Sequence, residues 1–373
     1  MESSLYHPLS AIAEEEVSVV EEPVPAQMPT EAAHSTSESS QTLSQRSAIP
    51  RRFGLALLAA SDLAEWDALV EASPQCSIFA KSWWLRAACD EPRVLGYFED
   101  GHLIAGIPLH YEWRFGQRFC CMPRLTQTMG VAIAPQPGKS VTVESRETEI
   151  LNAFAERLAG ERIFIQAFHP ECRNWLPFYW AGFTQTTHYT YVLDDLSSVD
   201  RIWDGLDKDR RANIRKARRG GIQITECGPE EVYAASAASL ERQGLRCKYT
   251  LKYLSRLVRA ARENNAGTCL AARDSRGRLH AAVFFVWDSR HGYQLAGGHD
   301  TALGSSGATV LLVWNLIEFA ASHTAVFDFE GSMRRQIENS FRSFGAKRIP
   351  YHRIVKMPRW MRIGLCAAGR VSL

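Results

Sequence analysis

No two of the chain's nine cysteines stand at the Cys-x-x-Cys spacing of a zinc or redox site. Cys120 and Cys121 are neighbours, a geometry that disfavours a bridge between them. The pattern argues against a disulfide scaffold and for reduced thiols in a cytoplasmic setting. "HPEC", from His169 to Cys172, has the spacing of half a zinc site; nothing completes it, and no metal is expected. No run is long and apolar enough to span a bilayer. The N-terminus lacks the basic start and continuous apolar stretch of a signal peptide. A Walker loop and an evident Ser–His–Asp order are missing, and His169, His188 and His299 have no carboxylate or cysteine context that raises them above core or surface use.

The first 50 residues are also poor in aromatics, with Tyr6 alone, and in basic charge, with Arg46 alone against eight glutamates. Such a Glu-, Ser-, Thr- and Pro-rich stretch cannot bury enough apolar surface to offset its chain entropy, so residues 1–50 read as a disordered acidic tail. The tail masks the charge of the remainder. Net charge is +2, yet the rest of the chain carries 42 of the 43 Lys and Arg against 33 of the 41 Asp and Glu. The body is basic and long enough for two domains, and the chain as a whole is ordinary in hydrophobic content at 46%.

From Arg51 onward helical and β-like patterns alternate. "SDLAEWDALVEAS" has helical periodicity with Ser61 as the expected N-cap. "PRVLGYFEDGHLIAGIPLHYEW" reads as a hairpin turning at Asp100-Gly101. "RIFIQAF" and "TQTTHYTYVL" are strands, and "RETEILNAFAERLAG" is a helix. The second half repeats this grammar: a helical region over 199–221, a strand, two helices, a three-strand meander over 267–300, then the helix "GATVLLVWNLIEFAASH" and the strand "AVFDFEG". The order predicts an α+β class with a mixed sheet rather than a dinucleotide-binding fold.

The sharpest local feature is "DKDRRANIRKARRGGIQI", Asp207 to Ile224, with seven basic residues, two acidic ones and two glycines. On a helix Lys208, Arg211, Arg215 and Arg218 fall on one face, and Trp203, Leu206, Ile214 and Ala217 supply an apolar face. Singly, each cation is satisfied as a solvated charge near a helix end. As a cluster they repel one another unless an anion compensates, and arginine forks match phosphate oxygens.

That stretch, with "FDFEGSMRRQIENSFRSFGAKRIPYH" near the end and "MPRLTQTMGVAIAP" and "FYWAGFTQTTHYTYVLDDL" earlier, resembles the FemAB-like, BioF2-type branch of the GNAT acyltransferase superfamily. The resemblance covers about the whole body. It implies two GNAT-like domains, over 51–195 and 196–356, the second catalytic, followed by a basic amphipathic segment over 357–373. It also implies that the basic helix faces the phosphates or carrier of a substrate, with Arg211 and Arg215 binding the anion and Lys208 as a further candidate.

By the same resemblance the loop entering the late helix, at Ser305, Ser306, Gly307 and Ala308, would hold the donor's pyrophosphate on backbone N–H groups. The family's Arg/Gln-x-x-Gly-x-Gly/Ala pattern is absent there, and a Ser-capped helix start explains these residues equally well. Asp328 and Glu330 in "FDFEGS" share one strand face, and an apolar setting would raise their pKa values toward those of a useful base. The structural alternative has Asp328 capping a loop and Glu330 pairing with Arg334 or Arg335. Arg342 lies near the place where relatives carry a substrate-contacting lysine, although Phe341 is closer in register. Gln243 and Tyr249 occupy the segment where relatives contact the acceptor, and both also suit an ordinary surface.

The expected activity is transfer of an acyl group from acyl-CoA or acyl carrier protein to an amine, in cell-envelope, lipid or polysaccharide biosynthesis, with no permanently bound cofactor. Aminoacyl-tRNA is the rival donor, disfavoured because no long heptad arm is present. A non-catalytic GNAT-fold module holding a phosphate-bearing ligand is the rival of another class. The acceptor is expected to be a small or lipid-linked amine. The C-terminal "KMPRWMRIGLCAAGRVSL" has the composition for peripheral contact with the inner face of a membrane, or for simple docking on the body.

Overall fold

The computed structural model describes residues 53–362 except Phe115, Thr301, Ala302, Gly304, Ser305, Ser332 and Arg334. The acidic tail, the Ser305 assignment and the chain beyond Arg362 therefore lie outside the described residues.

Among the described residues thirteen strands form one sheet. They are β1 (Gly54–Leu57), β2 (Arg93–Glu99), β3 (His102–Arg114), β4 (Gln117–Cys121), β5 (Ala132–Ile133), β6 (Phe164–Ala167) and β7 (Thr184–Leu193) from the first half. The second half adds β8 (Gln223–Glu226), β9 (Gly267–Arg273), β10 (Leu279–Trp287), β11 (His291–His299), β12 (Val326–Asp328) and β13 (Lys347–Lys356). The order across the sheet is β1-β2-β3-β4-β6-β13-β7-β12-β11-β10-β9-β8, with β5 on β3. Pairs β4/β6 and β11/β12 are parallel and the other named pairs antiparallel, so the sheet is mixed, as the pattern of elements predicts.

Among the described residues ten α-helices cover it: α1 (Leu63–Ala72), α2 (Ser82–Ala88), α3 (Ser140–Leu158), α4 (Leu176–Trp180), α5 (Val199–Gly205), α6 (Lys208–Arg219), α7 (Pro229–Glu241), α8 (Leu251–Glu263), α9 (Ala308–Ala320) and α10 (Arg335–Arg342). Ile214 and Ala217 of α6 and Leu312 and Leu316 of α9 pack with Val283, Phe285 and Phe327 on one face. Val232 of α7 and Leu254, Leu257 and Val258 of α8 pack with Cys269, Phe284 and Leu295 on the other. In the first half, Ile150, Leu151 and Phe154 of α3 and Phe178 of α4 close over Ile107, Phe164 and Ile354. All these side chains are buried, and their apolar area supplies the main drive for the layering.

The Asp100-Gly101 turn is present, with φ of 49° and 88°, the left-handed pair a two-residue hairpin requires. Three local expectations change. The first helix begins at Leu63 after a single 3-10 turn over Ala60–Asp62, and the Asp62 carboxylate, not Ser61, accepts the Ala59 N–H at 2.7 Å. The helical region over 199–221 is two helices, because Asp207 turns out of helical geometry and accepts the Asp209 N–H at 2.8 Å as the cap of α6. The segment over 347–356, read only as part of a family resemblance, is the ten-residue strand β13, which joins β6 to β7. Pro350 is tolerated in this central strand for a geometric reason. The His352 carbonyl accepts from Phe168 on the β6 side, so the Pro350 nitrogen, two residues earlier, points the same way. There β13 has run past β6, with which it pairs only over Arg353–Lys356, and no ladder bond is lost.

Candidate active site

Strand β12 is short, and its shortness makes the site. It pairs with β11 over His291–Tyr293 and with β7 at Leu193 and Val192. Beyond Asp328, β11 runs on to His299 and β7 reaches back to Thr184 with no β12 between them, so the two strands part at that residue. On its other edge β11 shifts register: Ala296 faces Phe284 and Gln294 faces Phe285, leaving Leu295 without a partner. A bulge of this kind bends a strand locally.

Asp328 sits where the strands part and is buried. Its Oδ1 accepts the Thr190 hydroxyl at 2.5 Å, the Glu330 backbone N–H at 2.6 Å and the Gln127 amide at 3.4 Å. The short bond to its own chain two residues on forms a tight turn that carries Glu330 to φ +62°. Glu330 therefore leaves the strand instead of sharing its face with Asp328, a correction to the alternation expected from the sequence. Phe327 and Phe329 both stay in the core beneath α9 and α10. Gly331 follows because a Cβ there would stand 2.3 Å from the Tyr189 carbonyl.

Burial pushes the Asp328 carboxyl up to about 6, against the opposing hydrogen bonds from Thr190, the Glu330 amide and Gln127. Burial and the neighbouring Asp328 charge push Glu330 well above the ordinary glutamate range. Glu330 thus holds the proton of the pair, and its Oε1 has no hydrogen-bond partner among the described residues. Both folded-state values lie above the unfolded ones. These carboxyls therefore weaken the fold as pH rises from the usual carboxylate range through about 6 for Asp328.

Gln294 is fully buried beside Tyr293, the residue paired with Asp328, and neither atom of its amide finds a partner among the described residues. Leaving such a group empty-handed costs free energy, so a ligand or water is expected against it. Sequence reasoning missed Gln294, Gln127 and Thr190. A lone glutamine inside the apolar "GYQLAGG" is the signal that was there to be read.

The first turn of α9 lies at the β11 end of the same gap. Gly307 has φ +74°, and a Cβ on it would meet the Asn213 carbonyl of α6 at 2.4 Å, so only glycine lets α9 start against α6. The Ser306 hydroxyl accepts the Ala308 N–H at 3.2 Å and lies 3.0 Å from His280 Nδ1, whose Nε2 is 3.3 Å from Asp274. A chain Asp274–His280–Ser306 therefore exists in space although its spacing hid it in the sequence, and it pins the loop. Gly307→Ala is expected to lower stability by about 2–4 kcal/mol, from left-handed strain plus the clash. Thermal melting checks this, and an unchanged midpoint would show that the junction yields freely.

On α6 the predicted faces are present. Lys208 and Arg215 are exposed, Arg211 is half-buried, and Ile214 and Ala217 are in the core. Arg211 donates to the Asp204 carbonyl at 3.1 Å, and Arg215 lies 5.6 Å over the Trp203 ring, which leaves both near the surface. The inward cation is Arg210, which the sequence reading passed over: it donates to Ser343 at 2.6 Å and Ser340 at 2.9 Å and packs over Phe344, tying α6 to α10.

Arg342 is two-thirds exposed and holds Glu338 at 3.4 Å and Asn339 at 3.0 Å on its own helix, while Phe341 beside it is buried against Phe329. Tyr249 is buried edge-on to Tyr233 under α7 and α8, not on the surface, and burial raises its pKa. Gln243 donates to the Ser239 carbonyl at 2.9 Å at the end of α7. The structure thus brings Asp328 and Glu330 together, sets Ser306, Gly307 and Ala308 against α6, and leaves Arg342 and Tyr249 in local roles.

Away from this site, His110, Glu112 and Cys121 bring potential metal-ligand atoms within 4.8 Å of one another. The Arg114 guanidinium already occupies the other oxygen of Glu112, and this positive charge disfavours a bound cation.

Residues 208–336 match the sequence model of the acetyltransferase (GNAT) domain. The fold is that of FemX, with a TM-score of 0.61 at 11% identity over 80% of this chain and 96% of that one. A C-terminal domain (DUF2156) assigned to a lysylphosphatidylglycerol synthetase from Agrobacterium fabrum superposes with a TM-score of 0.51 at 15% identity, over 83% of this chain and 96% of that one. No curated protein matches the chain in sequence. Residues 208–336 thus carry an acetyltransferase (GNAT) domain, with the parting of β7 and β11 at its edge, and the chain from its first half to its last strand shares the fold of FemX.

Proposed function

We propose that the chain is an N-acyltransferase that moves an acyl group from acyl-CoA or an acyl carrier protein to an amine serving cell-envelope, lipid or polysaccharide biosynthesis. The observation that carries this reading is the buried carboxyl pair where β7 and β11 part, with the Glu330 Oε1 unsatisfied beside it. The donor's phosphates would lie at the first turn of α9, at Ser306, Gly307 and Ala308, with Arg211 and Arg215 of α6 drawing in its anionic portion.

The amine nitrogen attacks the thioester carbonyl, and a backbone N–H stabilises the oxyanion. The C–N bond forms, the C–S bond breaks, and the amine proton passes to ionised Glu330 and on to the departing thiolate. Asp328 positions Glu330 by holding its backbone N–H. No covalent enzyme intermediate is needed, because holding two substrates together supplies much of the acceleration.

Thiol release from acyl-CoA, measured against a panel of primary amines, tests this reading. Amine-dependent release supports it. Consumption of aminoacyl-tRNA with thioesters untouched would move the donor to the aminoacyl-tRNA alternative. Binding of coenzyme A without turnover of either donor would leave a phosphate-ligand binding module.

A further inference from the structure

Three tryptophans are exposed among the described residues: Trp113 at 75%, Trp180 at 60% and Trp360 at 61%. One exposed tryptophan is unremarkable on any protein. These three share one end of the sheet, and the strand pairing shows it. Trp113 is at the end of β3, opposite Arg118 at the start of β4. β4 runs parallel to β6, the start of β6 meets the end of β13 at Lys356, and the end of β13 meets the start of β7 at Thr184. Trp180 closes α4 just before β7, and Trp360 follows β13. Exposed Tyr179 and Leu176 stand on α4 beside Trp180.

The same end is basic. Arg118, Arg157, Arg162, Lys356, Arg359 and Arg362 lie there, and the last turn of α3 is held to the end of β13 by Lys356 on the Ala159 carbonyl. Of the nearby carboxylates, Glu161 is buried and bonded to Arg118 and Tyr111, and Glu112 is bonded to Arg114, which leaves Glu156 as the exposed one in that stretch. The segment after β13 is anchored, since Met357 and Met361 pack on Phe119, Cys121 and Ile163 while Trp360 faces outward.

The spacing decides between partners. Trp113 and the start of β7 are four strand intervals apart, about 19 Å. A protein hot spot is a contiguous, desolvated cluster depleted of charge. Separated indole rings with a polar edge, interspersed with guanidinium groups, suit the headgroup layer of a membrane. No helix among the described residues is long and apolar enough to cross a bilayer, so contact would be interfacial.

We propose that this end of the sheet docks on the surface of an anionic lipid bilayer, with Trp113, Trp180 and Trp360 seated among the headgroups and the surrounding cations against their phosphates. The gap between β7 and β11 widens toward the same end, because β7 starts there and β11 runs in the opposite direction to β7. Docking therefore turns the gap toward the bilayer. The acceptor is then an amphiphilic amine taken from the membrane surface, a corollary that rests on the acyl-transfer reading.

The test is co-sedimentation of the full chain with phosphatidylcholine vesicles, with and without phosphatidylglycerol. The wild type should pellet with the anionic vesicles, lose that binding as salt rises, and stay in solution with phosphatidylcholine alone. Trp113→Ala, Trp180→Ala and Trp360→Ala combined should lower partition by about tenfold or more. Arg359→Gln with Arg362→Gln, a variant that leaves the aromatic side chains in place, should lower it by about tenfold. Absence of wild-type binding, or binding unchanged in both variants, overturns the proposal. So does a wild-type dimer that the triple variant loses in the absence of lipid, which would make the face a protein interface. Docking with equal turnover of soluble and vesicle-borne amines would overturn the corollary and leave docking intact.

Discussion

Glu330→Gln is expected to reduce turnover by ~10²-fold or more, the usual worth of a positioned general base. Glutamine keeps the size of the side chain and a carbonyl oxygen, but cannot take a proton. The loss should fall on kcat, with donor affinity nearly constant, since the donor's phosphates are assigned to the first turn of α9 and not to this side chain. It should grow as pH rises and Glu330 ionises, and shrink again only at the high pH where the free amine is already deprotonated. A steady-state comparison of kcat and KM across pH checks this. A variant with full activity would transfer the reaction entirely to proximity and oxyanion contacts.

Asp328→Asn should have a different signature. Burial and then the Asp328 charge raise the Glu330 pKa, so a neutral neighbour lets Glu330 ionise at lower pH. Activity that requires ionised Glu330 rises with pH, and in the variant this rise should move to lower pH. Asparagine still offers Oδ1 to the Thr190 hydroxyl and the Glu330 N–H, so the plateau should fall far less than in Glu330→Gln. A rise that stays in place or moves upward would separate the two carboxyls electrostatically. A plateau loss as deep as that of Glu330→Gln would make Asp328 itself the proton acceptor.

Much of the architecture was legible because it is written in local chemistry. The two faces of α6 follow from helical spacing, the β2–β3 hairpin from Asp100-Gly101, and the β9–β11 meander from apolar strands between polar turns. What was hidden depends on partners remote in the chain. Thr190 meets Asp328 across 138 residues, and Arg210 meets Ser343 across 133, distances over which periodicity carries no information. β13 is rich in charge and contains Pro350, features that speak against a central strand until the end of β6 is seen to leave the proline nitrogen unopposed. Glu330 looked like the next residue on a strand face because the hydrogen bond that twists it away comes from Asp328 itself. Direction of the pKa shift was foreseeable from the apolar run around "FDFEG". The division of roles was not, since it rests on three donors serving Asp328 and none serving Glu330 Oε1.

The central claim is that Glu330 carries the proton of a buried pair at the parting of β7 and β11. Carboxyl carbon NMR on the chain labelled with 13C at its glutamate and aspartate carboxyls measures this directly, with Glu330→Gln assigning the signal and Asp328→Asn reporting the coupling. The predicted result is one glutamate titrating well above the ordinary range, absent from the first variant and shifted to lower pH in the second. A Glu330 signal that titrates with the exposed glutamates, and does so unchanged when Asp328 is replaced, would contradict the account.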